Sequence, residues 1–241
     1  MRAALIWLFV LAGNPLQAAT CTDVLFEAVS YTTCEVALDE DLRLFSAGPS
    51  GPYGSFSAIN AALEPLGLAL GFAMNAGMFH RDLAPVGLYV EGSAQKTPLV
   101  TSDGPGNFGL LPNGVFCAGE RFAVLESRRY ATLKPTCRFA SQSGPMLVID
   151  GALHPKFLPD SESLNIRNGV GISDDGMRAI FVIANAEVNF YTFARFFRDQ
   201  LDLSNALYFD GSISRLYAPQ LGRHDGGFPM GPIVGVVVPR G

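Results

Sequence analysis

The stretch "MRAIFVIANAEVNFYTFARFFRDQLDLSNALYFDG", Met177 to Gly211, carries the reading of the fold. Its first nine residues, 177–185, form an apolar, β-prone run. From Asn189 the period changes. Phe190, Phe193, Ala194, Phe197 and Leu201 recur at helical spacing across 189–201, while Arg195, Arg198 and Asp199 fall elsewhere. Asn189 stands where an N-cap belongs. The aromatic stripe reads as core packing rather than a cofactor box. "NALYFD" (205–210) then returns to strand. Strand, helix and strand in this order make a β-α-β unit, whose connection is long enough for parallel strands.

Upstream, "GVGIS" (169–173) pairs with 177–185 across "DDG" (174–176). Asp-Asp-Gly between two strands is turn chemistry, so these paired acids are expected to face water. Further β-rich runs occupy 24–31, 41–47, 68–75, 86–92, 107–116, 121–127 and 145–151, punctuated by Gly-Pro and Asn-Gly pairs. A second helix is expected over 55–67, with Phe56, Ile59, Ala62 and Leu63 on one face. There is no linker-like segment and no internal repeat. The prediction is an α+β single domain: a mixed β-sheet core with a few helices, a β-rich N-terminal part and a C-terminal β-α-β unit.

The chain has 241 residues, 49% hydrophobic and 16% charged, which supports a sizeable core and argues against extended disorder. A net charge of −5 argues against a general nucleic-acid binder, though an anion could still be held locally. Arg2 followed by the apolar run Ala3–Ala12, Pro15 and small residues up to Ala19 reads as a signal peptide. Residues 1–19 are thus expected to be removed, leaving a working domain over 20–241, periplasmic or secreted, with no membrane span in the mature chain. "AATC" also admits a lipid anchor at Cys21 as the alternative.

Cys21, Cys34, Cys117 and Cys137 survive that cleavage, an even number in an oxidising compartment. Three pairings are possible; local closure favours Cys21–Cys34 and Cys117–Cys137. Without a CxxC pair or a His-rich partner motif, no metal site is expected.

Polar residues at the ends of apolar strands are the candidates for chemistry. In "AMNAGMFH", Asn75 ends a strand beside small residues and can donate and accept, and His80 offers an imidazole able to shuttle a proton. In "SQSGPMLVIDG", Ser143 lacks the surroundings of a nucleophile elbow and suits turn or substrate binding. In "NIRNGVGIS", Arg167 precedes a strand of small and apolar residues and could clamp an anion in a charge-poor chain. In "NALYFDGSISRLY", Asp210 ends a strand and runs into Gly211, Ser212, Ile213 and Ser214, whose backbone amides could hold an anion. Each has a plain structural reading as a turn or surface residue. No glycine-rich phosphate loop is present, so no nucleotide or other cofactor is expected.

Taken in order, "MNAGMFH", "PVGLYVEG", "NFGLLPNGVF", "SGPMLVIDG", "IRNGVGIS", "VNFYTFARFFRDQL" and "ALYFDGSISRLY" resemble the phosphodiester glycosidase family, from about Leu70 to Val238. Its better-known members tend to carry Leu-Asp-Gly-Gly-Gly-Ser where this chain has Phe209-Asp210-Gly211-Ser212-Ile213-Ser214. The resemblance implies an exported hydrolase that cleaves the C–O bond of a sugar-1-phosphodiester, free or within a phosphoglycan. A phosphodiester leaves as a stable anion, so one carboxylate and one cation suffice where most glycosidases need two carboxyl groups. The implied roles are Asp210 as base or nucleophile, Arg167 on the departing phosphate and His80 in proton transfer. Asn75, Ser143, Ser212 and Ser214 would bind substrate. Two other classes stay open: an exported glycan-binding protein keeping Asn75 and Arg167 for binding, and a metal-dependent phosphodiesterase, for which His80, His154 and His224 are far apart in sequence. The natural substrate and the oligomeric state are left open.

Overall fold

Along the strand Asn205–Asp210, Leu207 and Phe209 point to one side and Ala206 and Tyr208 to the other, and all four are buried. A strand buried on both faces must be central, and this one is. The computed structural model describes residues 19–240. In it, seven strands form a central sheet in the order Thr20–Phe26, Val29–Ala37, Arg178–Ala184, Asn168–Ile172, Asn205–Asp210, Met146–Ile149 and Ala152–Leu153. A second sheet runs Phe122–Glu126, Gly114–Gly119, Cys137–Ser143, Tyr89–Glu91 and Ala94–Thr97. A third runs Arg223–His224, Leu216–Ala218, Leu68–Asn75, Ile233–Pro239 and Leu42–Phe45.

The three sheets share one core. Phe181 from the central sheet meets Phe72 of the third at 5.2 Å between ring centroids and Phe116 of the second at 5.7 Å. The outer face of each sheet is closed by one helix. Phe190–Arg195 and its continuation Phe196–Gln200 bury Phe193, Phe196 and Phe197 against the central sheet. Phe56–Leu63 covers the third sheet through Phe56, Ile59 and Leu63. Ser127–Leu133 flanks the second, with Tyr130 packed on its outer cluster.

The α+β single domain follows the sequence pattern. Asn189 caps its helix by accepting from Thr192 N at 2.9 Å, and Ser55 caps the early helix from Ala58 N at 3.2 Å. The strands joined by the 189–201 segment run parallel to each other but are not neighbours. Asn168–Ile172 lies between them and pairs antiparallel with both, so every ladder among the described residues is antiparallel. Asp175 forms the expected turn, accepting from Ser173 Oγ at 2.6 Å and Met177 N at 2.9 Å.

Several boundaries differ from the pattern. The run 24–31 is two strands joined at Glu27 and Ala28, whose φ values of 49° and 64° make a tight hairpin turn without glycine or asparagine. Residues 107–113 are irregular, and the strand there begins only at Gly114. Cys137–Ser143 carries no apolar alternation because Ser141, Gln142 and Ser143 are all buried and hydrogen-bonded. Ile233–Pro239 is the inner strand between Leu68–Asn75 and Leu42–Phe45.

Both disulfides close locally, Cys21–Cys34 and Cys117–Cys137. The Cys21 sulfur is thereby committed, which removes it as the site of a lipid anchor. The expected signal peptide lies, apart from Ala19, outside the described residues. Among the described residues no helix is long and apolar enough to cross a membrane.

Phe181→Ala should cost about 3–5 kcal/mol of unfolding free energy, measured by urea titration, because its cavity opens where three sheets meet. A loss below about 1 kcal/mol would contradict a shared core.

Candidate functional site

The candidate site forms where the ends of two sheets meet. Asn75 ends Leu68–Asn75, Asn168 begins Asn168–Ile172, and Asp210 ends Asn205–Asp210. All three are buried, with exposures of 0%, 0% and 8%. Buried amides must find partners, and these find each other. Asn75 Nδ2 donates to Asn168 Oδ1 at 3.0 Å, and Asn168 Nδ2 donates to the Asn75 carbonyl at 2.9 Å. Asn168 Oδ1 also accepts from Asp210 N at 3.2 Å. Asn75 Oδ1 accepts from Arg215 N at 3.0 Å.

The loop after Asp210 closes on the aspartate itself. Asp210 Oδ1 accepts from the backbone N–H of Gly211 at 2.6 Å and of Ser212 at 2.8 Å, with Ile213 N at 3.5 Å. Oδ2 has no hydrogen-bond partner among the described residues and is not sealed from solvent. Burial raises the Asp210 pKa above the ordinary carboxylate value, opposed by the three backbone donors, which favour the charged form. A carboxyl held rigidly by one oxygen, with the other open and a raised pKa, suits proton transfer or attack.

Ser214 supports this turn: its hydroxyl lies 2.8 Å from the Asp210 carbonyl and 3.2 Å from Asn168 Oδ1. Ser143 Oγ, fully buried, donates to the Phe209 carbonyl at 2.9 Å, one residue before the aspartate. Ser212 presents an exposed side chain while its amide holds Asp210. Asn75, Ser143, Ser212, Ser214 and Asp210 are therefore brought into one hydrogen-bonded assembly.

Arg167 lies beneath that assembly. It is 0% exposed, and its guanidinium stacks 3.7 Å from the Phe190 ring centroid. Nε donates to the Val188 carbonyl at 2.8 Å, Nη2 to the Ser163 carbonyl at 2.7 Å and Nη1 to Tyr208 Oη at 3.3 Å. Desolvation lowers its pKa, with Tyr208 opposing. The Tyr208 hydroxyl reaches the Asp210 turn from below, since a Cβ on Gly211 would fall 2.2 Å from it. Only glycine fits there.

His80 stands apart: its side chain is exposed and makes no hydrogen bond among the described residues. Among those residues no three or more His, Cys, Asp or Glu side chains gather where they could hold a metal ion. Clefts of about 420 Å³, lined by Ser57, Asn60, Tyr217 and His224 among others, and about 370 Å³, by Arg121, Asp174 and Asp175, contain none of the assembly's residues.

The sequence pattern missed Asn168, Tyr208 and Arg215. Asn168 follows the singled-out Arg167 and enters an apolar strand, the same signal that marked Asn75. Tyr208 reads as one more strand aromatic, and only its pairing with Arg167 sets it apart.

Residues 70–229 match the family model for phosphodiester glycosidases. Over 166 residues the chain is 39% identical to an Escherichia coli (strain K12) protein named "Uncharacterized protein YigE", covering 68% of this chain and 64% of that one. The chain thus spans 64% of that relative's length. Its fold is similar to that of the zebrafish N-acetylglucosamine-1-phosphodiester alpha-N-acetylglucosaminidase catalytic domain auto-inhibited by its pro-peptide. The TM-score is 0.62 over 93% of this chain and 84% of that one, at 14% identity, so the likeness is one of fold. By sequence match and architecture together, the chain belongs to the phosphodiester glycosidase family.

Proposed function

We propose that this protein hydrolyses the glycosidic C–O bond of a sugar-1-phosphodiester, with Asp210 as its working carboxylate. One observation carries the reading: Asp210 is buried at a strand end, one oxygen saturated by loop amides and the other open. The leaving group is a phosphate monoester, a stable anion that departs without a strong acid, so one carboxylate can serve as base or nucleophile. Asn168 and Asn75 fix the strand end, while Ser143 bonds the Phe209 carbonyl and Ser214 the Asp210 carbonyl. Arg167 adds a positive charge from below and orients Tyr208.

A binding-only protein on this fold relied on Asn75 and Arg167. Both commit their polar atoms to the protein itself, whereas Asp210 keeps an oxygen open. Export fits the two disulfides, which persist in oxidising compartments, so we place the protein in the periplasm or outside the cell.

Turnover of sugar-1-phosphodiesters in ¹⁸O-labelled water tests the chemistry. Label should enter the sugar; label in phosphate would mean P–O cleavage and would sink the reading. Asp210→Asn keeps the Oδ1 acceptor and should fold normally while losing on the order of 10²-fold or more in kcat. Full activity in that variant would remove Asp210 from the mechanism.

Two pH effects follow from the raised Asp210 pKa. If the carboxylate form works, kcat/KM rises with pH through that raised value. For stability, a folded pKa above the unfolded one means that the group's contribution is complete below the unfolded value, and is lost as pH rises through the folded one. Asp210→Asn, which never ionises, should therefore be more stable than the parent at pH 7, with the difference vanishing below about pH 4. Chemical unfolding at both pH values measures this.

A further inference from the structure

The phosphate half of the proposed substrate needs a cation, and Arg167 is sealed: every guanidinium nitrogen bonds a protein group and its exposure is 0%. Arg215 differs on each point. Its backbone N–H is pinned by Asn75 Oδ1, the amide that also binds Asn168, so its position is set by the network that holds Asp210. Its side chain is only half-buried. Nη1 donates to the Phe228 carbonyl, and the guanidinium lies against Gly227, where a Cβ would fall 2.5 Å from Nη2 and 3.3 Å from Nε. A side chain at 227 would displace it, and Gly227 also holds φ at 133°. Nε and Nη2 make no hydrogen bond among the described residues, which leaves one edge of the planar fork open.

No carboxylate lies within ion-pair distance of Arg215 among the described residues. The acid nearest in this loop, Asp225, is taken: it holds Arg223 Nη2 at 2.9 Å and accepts from Leu216 N at 3.0 Å. An arginine with a free bidentate edge, anchored at its other nitrogen, whose one nearby carboxylate charge, Asp225, is already paired with Arg223, is built to receive a planar or tetrahedral oxyanion. The exposed ring of Phe228, 78% accessible, marks the solvent side of the same loop.

We propose that Arg215 binds the phosphoryl oxygens of the substrate, while Arg167 acts from below as a positioning residue. This rests on the phosphodiester reading above, but its test does not require turnover. Inorganic phosphate and phenyl phosphate are titrated into the protein while the arginine Nε–Hε resonances are followed by NMR and the heat of binding is measured. The Arg215 resonance should shift saturably and that of Arg167 should not. Arg215→Gln should weaken phenyl phosphate binding by about 10-fold or more, and Arg215→Lys by less, since lysine keeps the charge but not the fork. In turnover assays Arg215→Gln should raise KM for a phosphodiester more than it lowers kcat, unlike Asp210→Asn. The assignment is overturned by unchanged affinity in Arg215→Gln, by a saturable shift at Arg167 alone, or by no saturable shift in the parent protein. Phosphate binding at Arg215 without turnover of any diester would refute the catalytic reading and leave this one standing. Label entering the sugar with binding unchanged in Arg215→Gln would do the reverse.

Discussion

The side-chain amide of Asn168 is the constraint on which the site depends. It is fully buried, and its oxygen and nitrogen bind Asn75 and the Asp210 backbone, residues distant in sequence and belonging to two different sheets. An unsatisfied buried amide group costs about 1–3 kcal/mol, so the sheet ends can meet only in the register that satisfies all of them. That register places Asp210 at the junction and starts the loop that folds back on its own carboxylate. Position and orientation of the aspartate are thus consequences of hydrogen-bond accounting at a seam between sheets.

Burial acts on the charges here in opposite senses. It raises the Asp210 pKa by penalising the carboxylate, and lowers that of Arg167 by penalising the guanidinium. Arg167 is made tolerable by the Phe190 face, two carbonyls and the Tyr208 hydroxyl, a set of neutral partners that leaves its charge uncancelled. Asp210 is made tolerable by loop amides on one oxygen only. The fold therefore keeps an uncancelled positive charge beneath a desolvated carboxylate, and both features oppose stability where chemistry is expected.

Helices and hairpin were legible in the sequence because their signals are local. Phe193 and Phe197 repeat at helical spacing, Asn189 caps the turn that follows it, and Asp175 satisfies a turn within four residues. The disulfides also close over short separations, 13 and 20 residues. Asp210 was legible as a strand-end carboxylate. Strand Cys137–Ser143 was not, since its polar residues are buried by partners up to 66 residues away. Nor was the Glu27–Ala28 turn, where the two-residue closure of Phe26 on Val29 takes φ values that these residues rarely choose.

The sequence by itself determined the α+β class, the family and the candidate carboxylate, because periodicity, capping and ordered motifs are written along one dimension. Only the tertiary structure decided which polar residues share a site. It put Asn168 at the hub, sealed Arg167, left His80 on the surface and left Nε and Nη2 of Arg215 without a hydrogen-bond partner among the described residues. Hydrogen-bond partnership and desolvation are properties of three-dimensional surroundings, and residue type and spacing do not carry them.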